Sequence, residues 1–191
     1  MIISLGLNIF RRKPFWLKPS FSASTLGLNM TDSTILDILR AQEQGLMFTS
    51  FNEEIAFALG SALRARAAAA QAPVVIEIRN ASRRFYFSAL PGSTPENDNW
   101  ARRKANTVLQ CHVSSLLMGK KLAFEGRSQW PDAVLELKDY SVHGGAFPVR
   151  LKDGGVVAVI AVSGLPSRED HELIVSVLKE FLGAEHVPVT P

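Results

Sequence analysis

The sequence predicts an α+β fold, with an antiparallel sheet flanked by helices in a profilin-like layout within a single domain. Three observations predict it. Two pairs of β-rich runs, 73–80 with 83–90 and 146–152 with 155–163, are each joined by a short turn. Each pair is followed by a capped stretch with helical spacing of apolar residues. The chain of 191 residues, 47% hydrophobic and 20% charged, suits one domain able to bury a core without staples.

Taken in order, Thr31 to Gln44 reads as a helix. Ile35, Ile38, Leu39 and Gln42 share a face, and Thr31, Asp32 and Ser33 offer caps. The short apolar piece Leu46-Met47-Phe48 follows. Ser50-Phe51-Asn52-Glu53 has capping-box spacing, with Ser50 accepting from the Glu53 amide. The helix behind it is expected to run to about Ala70, with Ile55, Leu59, Ala62, Leu63 and Ala67 as its apolar stripe. Val74, Ile76 and Ile78 then alternate with Val75, Glu77 and Arg79. After the turn Asn80-Ala81-Ser82, Phe85, Phe87 and Ala89 alternate with Tyr86, Ser88 and Leu90, giving the first hairpin.

Thr94 as N-cap and Pro95 at the first helical position start a long helix, predicted to run to about Leu117 and to end at Gly119. Irregular structure is expected over 120–142, with one helical turn near Pro131 to Leu137. Phe147 to Leu151, the turn Asp153-Gly154 and Val156 to Val162 form the second hairpin. Val156 to Val162 is apolar on both faces, which predicts a central strand covered on both sides. Ser167 is expected to cap a last helix that turns Ile174, Val177, Leu178 and Phe181 to the core. The tail after Gly183 holds two prolines and reads as loose.

The net charge of +3 is unevenly placed. Residues 1–30 carry Arg11, Arg12, Lys13 and Lys18 and no acid, so the rest of the chain, with 17 basic and 18 acidic residues, is nearly neutral. It shows no electrostatic footprint for nucleic acid. The apolar run at the N-terminus is too short to span a bilayer and makes a poor secretory signal. The single cysteine, Cys111, allows no internal disulfide, so a reducing, cytoplasmic location is expected. The domain reading is therefore 1–30 as an extension, either an over-extended start with Met30 as the natural one or a weak targeting segment of basic, acid-free, serine-containing character, 31–185 as the domain and 186–191 as a tail.

Three segments stand out. Ala89-Leu90-Pro91-Gly92-Ser93-Thr94-Pro95 leads into Asn99-Trp100-Ala101-Arg102-Arg103-Lys104-Ala105-Asn106-Thr107-Val108. His143-Gly144-Gly145-Ala146-Phe147-Pro148-Val149-Arg150 follows, and Val162-Ser163-Gly164-Leu165-Pro166 continues to Glu169-Asp170-His171. Together they resemble the haem-degrading, HbpS/GlcG-like domain family, and more narrowly its uncharacterised-protein branch. The similarity runs in the same order over about residues 31–185. It implies a compact sheet-plus-helices domain that self-associates as a homo-oligomer, with haem or iron bound or haem degraded in some members. Two departures stand out. Val159-Ile160-Ala161 replaces smaller residues in the strand before Ser163, which would narrow a pocket lined by it. Gln110-Cys111-His112 stands where an Arg-Phe-His pattern is usual.

The residues themselves suggest where a ligand would sit. Trp100, Lys104, Val108 and Cys111 fall within one helical stripe, and Arg103 adjoins Lys104. Arg103 and Lys104 suit carboxylates such as haem propionates. Lys104, set between apolar neighbours, is the preferred functional cation, or else a buried structural cation paired with a carboxylate or strand carbonyls. His143 beside Gly144 and Gly145 is a candidate metal ligand or acid–base group on a loop that a ligand could approach closely; the other reading is a tight loop with a hydrogen-bonded histidine. Ser163 and Gly164 lie before a helix N-terminus, where backbone amides favour anions. The site is placed where the Trp100 helix, the His143 loop and the Ser163-Gly164 turn meet. His112 reads as a packed helix residue and His171 as a neutral first-turn residue with a local capping role.

No complete catalytic constellation appears. Ala161 and Leu165 replace the glycines of a nucleophile elbow, and His171-Glu172 lacks the second histidine of a zincin. Two functions remain open: a small-molecule protein for an anionic or metal-bearing ligand such as haem, or a non-enzymatic oligomeric module that binds protein partners.

Overall fold

The computed structural model describes residues 30–190, with the side chains of the first helix described from Ser33 onward. The extension read from residues 1–29 lies outside the described residues. The elements are α1 (Met30–Gly45), α2 (Glu53–Ala69), β1 (Val75–Arg79), β2 (Arg84–Ala89), α3 (Pro95–Cys111), α4 (Ser115–Phe124), β3 (Ala146–Arg150), β4 (Val156–Ser163) and α5 (Ser167–Leu182). The strands form one antiparallel sheet in the order β2-β1-β4-β3, which is the expected α+β architecture.

Each hairpin supplies one edge strand and one central strand. The central strands pair with each other, Ile76 opposite Val162 and Ile78 opposite Ile160. This explains the apolar run of β4: every residue from Ala158 to Ser163 is buried. Pro148 sits in β3, an edge strand, where its missing N–H breaks no ladder. The first hairpin turns on Asn80, whose Oδ1 accepts from the amides of Ser82 (2.9 Å) and Arg83 (2.8 Å). The Leu46-Met47-Phe48 piece contributes a parallel bridge from Phe48 to Leu151 beyond the end of β3.

The alternation within the strands divides the core. Ile76, Ile78, Ile160 and Val162 face α2 and α5, where Leu59, Leu63, Ile174 and Leu178 meet them. Val75, Val159 and Ala161 face α3, through Ala101, Ala105 and Val108. Burial of each large aliphatic side chain favours folding by about 1.5–3 kcal/mol. Among the described residues no helix is long and apolar enough to cross a membrane.

Several expectations are corrected. The α2 N-cap is Asn52, whose Oδ1 accepts from Ile55 N at 2.9 Å; Ser50 lies outside the cap. The predicted long helix breaks at His112, which adopts φ 58° and is the exposed C-cap of α3, not a packed helix residue. Glu43 Oε1 captures the Ser114 amide at 2.7 Å, and Ser114 Oγ then accepts from Leu117 N at 3.2 Å to start α4. Gly119 lies inside α4 and not at a helix end. A Cβ there would stand 2.4 Å from the Val142 carbonyl oxygen, so the glycine allows close passage of two backbones. Pro131 to Leu137 forms turns without a helix.

At the last helix, the N-cap is Pro166 and Ser167 is already helical, with its hydroxyl turned to another partner. Phe181 is 38% exposed, and Val175 takes its expected place in the core. The C-terminal tail is docked, not loose. Val187 is buried, and Gln42 Nε2 donates to Pro188 O (3.1 Å) and Thr190 Oγ1 (3.2 Å).

Candidate functional site

The N-terminal half of α3 begins with a tight cap in which Asn97 Oδ1 accepts from Thr94 N at 2.8 Å. From there Trp100 and Lys104, four residues apart, project from one face. Lys104 crosses the small-residue interface with β4. Its Nζ donates to Asp170 Oδ2 at 2.6 Å and to the Val162 carbonyl at 3.2 Å. Asp170 Oδ1 in turn accepts from Leu165 N at 3.0 Å. Both side chains are at least 95% buried. Burial pushes the Asp170 carboxyl up, and the ion pair and the amides of Leu165 and Gly164 pull it back. Burial likewise lowers the Lys104 ammonium against the pull of Asp170. Lys104, the cation preferred from sequence, thus has the partners that its structural reading named, a carboxylate and a strand carbonyl.

The glycines explain how the backbone reaches this pair. Gly145 has φ 116°, and a Cβ on it would stand 2.5 Å from the Val162 oxygen and 2.7 Å from Lys104 Nζ. Gly144 donates to Ser167 Oγ at 2.6 Å, and a Cβ there would lie 2.4 Å from the Ser167 carbonyl oxygen. The close approach these glycines permit is thus to the β4–α5 turn and to Lys104. Gly164, at φ 148°, meets the Pro73 carbonyl in the same way.

His143 stands at the outer end of this loop. The loop is pinned to α3 by Thr107, whose hydroxyl donates to Ser141 O at 2.9 Å and accepts from Ser141 N at 3.1 Å. Ser141 Oγ then lies 3.1 Å from His143 Nδ1, and the imidazole packs edge-on against Trp100 with centroids 5.3 Å apart. Partial desolvation of a ring that stays largely open to solvent comes first, and with the charges of Lys104 and Arg103 it holds the His143 pKa below its ordinary value, so the ring is neutral near pH 7. Arg103 lies over the other part of this cluster, its guanidinium 4.4 Å from the Trp100 ring centroid, and its Nε is buried without a hydrogen-bond partner.

These elements enclose a cleft of about 280 Å³. Trp100, Lys104, His143, Ser163 and Gly164 line it, so the three segments singled out in the sequence do converge. Arg103 and the two glycines Gly144 and Gly145 are outside its lining. Asn97, Leu165, Ser167 and Asp170 line it too, and sequence reasoning gave them no site role. Asp170 had a legible signal, because a lysine embedded in an apolar stripe requires a carboxylate. Among the described residues no group of three or more His, Cys, Asp or Glu could hold a metal ion.

His171, expected to act as a local cap, is instead wholly buried between α5 and α1. Gln42 uses its amide nitrogen on the tail, so its Oε1 accepts from His171 Nε2 at 2.9 Å and leaves Nδ1 unprotonated and without a partner. Burial lowers this imidazole to about 4, and the expected neutral form is retained.

The family model described as haem degrading protein HbpS-like matches residues 51–179. A UPF0303 protein of Mesorhizobium japonicum is 42% identical over 148 residues, covering 78% of this chain and 89% of the relative. A UPF0303 protein of Azotobacter vinelandii is 44% identical over 147 residues, covering 77% and 89%. Among solved structures, the Ybr137w protein aligns with TM-score 0.74 and 27% identity, covering 80% of this chain and 92% of that one. The PduOC:heme complex aligns with TM-score 0.57 and 17% identity, covering 74% and 99%, a likeness of fold.

Proposed function

Because the chain belongs to the HbpS-like haem-degrading protein family, we propose that the Trp100–His143 cleft binds haem or a related small anionic, metal-bearing ligand. The observation that carries this reading is His143: a neutral imidazole, backed by Ser141 and Trp100, at the mouth of a cleft of polar groups. A single histidine, with no ligand cluster around it among the described residues, would suit a metal already held within its own organic ligand. The haem complex of PduOC, which shares the fold, supports the same reading.

Haem, when bound, supplies the iron and its redox chemistry. His143 would hold the metal, with Ser141 at Nδ1 orienting the ring. Trp100 offers a face to an apolar macrocycle. Arg103, whose guanidinium lies over the Trp100 ring beside the cleft, would meet a propionate. Lys104 holds the turn of Ser163 and Gly164 through Asp170 while lining the cleft. At about 280 Å³ the cleft is at the small end of ligand sites, so it takes one edge of the macrocycle and leaves the rest across its mouth. Homo-oligomers of residues 31–185 in the cytoplasm complete the proposal.

A haemin titration followed at the Soret band tests it. Saturable binding that His143→Ala weakens by about tenfold or more, equivalent to about 1.4 kcal/mol, is expected. No saturable binding would transfer support to the non-enzymatic module that binds protein partners.

A further inference from the structure

A second cleft, of about 520 Å³, opens between α1, the α3–α4 corner and β3. Cys111 lines it, while Trp100 lines the site above, so about 16 Å of α3 separates the two at 1.5 Å per residue. Its volume lies within the ordinary range for small-molecule sites, about 300–1,000 Å³.

The floor is apolar. Leu117 belongs to the core between α1 and α4, and Val113 packs against it. Met47 and Met118, both half-buried, add flexible thioether chains that adapt to a ligand's shape. Cys111 is part of the wall; burial pushes its thiol up despite the nearby Lys121, so it stays neutral.

The rim is cationic and drawn from three elements: Arg40 on α1, Lys121 on α4 and Arg150 on β3. The acids nearby are already engaged. Glu43 is 7% exposed, accepts the Ser114 amide at 2.7 Å and feels the charge of Arg150. Asp37 pairs with Arg40 at 3.0 Å on the exposed side of α1. Arg150 also donates to the His112 carbonyl, which anchors its guanidinium at the cleft. Three cations against two acids leave the rim net positive above an apolar floor.

We propose that this cleft is a second ligand site, selective for an amphipathic monoanion: a carboxylate or sulfonate head on an apolar body. The head meets Lys121 and Arg40, and the body covers Met47, Leu117 and Met118. A bare inorganic anion leaves the floor uncovered, and a neutral hydrocarbon leaves the cations unmatched, so neither satisfies both halves.

The probe is anilinonaphthalene sulfonate, whose fluorescence rises in an apolar site, titrated into the full chain and displaced with decanoate or decanol. One saturable site per chain is expected, displaced by decanoate about tenfold more effectively than by decanol. The double change Arg40→Glu with Lys121→Glu is expected to weaken the probe about tenfold or more at unchanged melting temperature. Met118→Trp, which fills the cleft, is expected to abolish binding, while His143→Ala leaves it unchanged. Absence of saturable binding would overturn the proposal. So would affinity untouched by both cleft variants, or loss of binding in His143→Ala.

Discussion

On one face of the sheet, α2 and α5 cover Ile76, Ile78, Ile160 and Val162 with leucine, isoleucine and valine. On the other, α3 covers Val75, Val159 and Ala161 largely with alanine. The first face buries large side chains and is the main apolar store of the fold. The second gives up side-chain volume, and the space is taken by the Lys104 side chain on its way to Asp170 and Val162. Small residues bring α3 close enough to the sheet for a helix side chain to tie together the β4–α5 turn that lines the cleft. Two neighbours on α5 show the contrast within a single turn. Asp170 looks to the α3 side and is fully partnered, whereas His171 looks to the α1 side and has one nitrogen satisfied.

The largest effect expected from breaking this contrast is at Asp170. Asp170→Ala leaves the Lys104 ammonium buried without its partner, and a loss of about 3–5 kcal/mol is expected in urea unfolding. Replacing both, as Lys104→Met with Asp170→Leu, is expected to recover most of that loss. A double variant no more stable than Asp170→Ala would show that the loss comes from the turn itself.

Leu63→Ala, on the apolar face, is expected to cost about 3 kcal/mol through lost burial and a residual cavity. Haemin affinity of the folded protein should not change, because Leu63 is remote from the cleft lining. A parallel loss of affinity would join the two faces that the structure separates.

The His171 pKa is depressed from 6.5 to about 4. Above pH 6.5 the imidazole is neutral in both states and costs nothing. Below it the unfolded chain takes up a proton that the folded chain refuses, so stability falls as pH drops towards 4, by about 3 kcal/mol in all. Unfolding midpoints at pH 7.5 and 4.5 measure this. His171→Leu should flatten that part of the profile, while the opposite trend from the raised carboxyls of Asp170 and Glu43 remains. An unaltered profile in His171→Leu would place the sensitivity elsewhere.

The smallest stability effect is expected at His143. The residue is exposed, and His143→Ala should change stability by less than about 0.5 kcal/mol while weakening haemin. A large fall in melting temperature with binding intact would make His143 a loop anchor.

Much of this arrangement was legible in the residues. The hairpins declared themselves by alternation and turn chemistry, and β4 declared itself central because it is apolar on both faces. The meeting of Trp100, His143 and Ser163 was anticipated because core packing has no use for such residues at those positions. The break at His112 was missed, although Ser114 offers a local N-cap to α4; what fixes the break there is Glu43, 71 residues away, which takes the Ser114 amide. Gly119 read as a stop because its purpose, passage of the Val142 carbonyl, is a long-range contact. Gly144 and Gly145 read as a ligand cradle for the same reason, when the group pressed against them is Ser167 and Lys104. The tail read as loose because its anchor, Gln42, lies on α1.

By itself, then, the sequence determined the fold class, the strand pairs, the central place of β4 and the segments from which a site would be built. Periodicity and turn preference are local properties, written within a few residues of where they act. Only the tertiary structure decided the partner of each buried polar group: Asp170 for Lys104, Gln42 for His171, Glu43 for the Ser114 amide. The physical reason is that a polar group removed from water must find its hydrogen bond wherever the packed chain offers one, at any distance along the sequence.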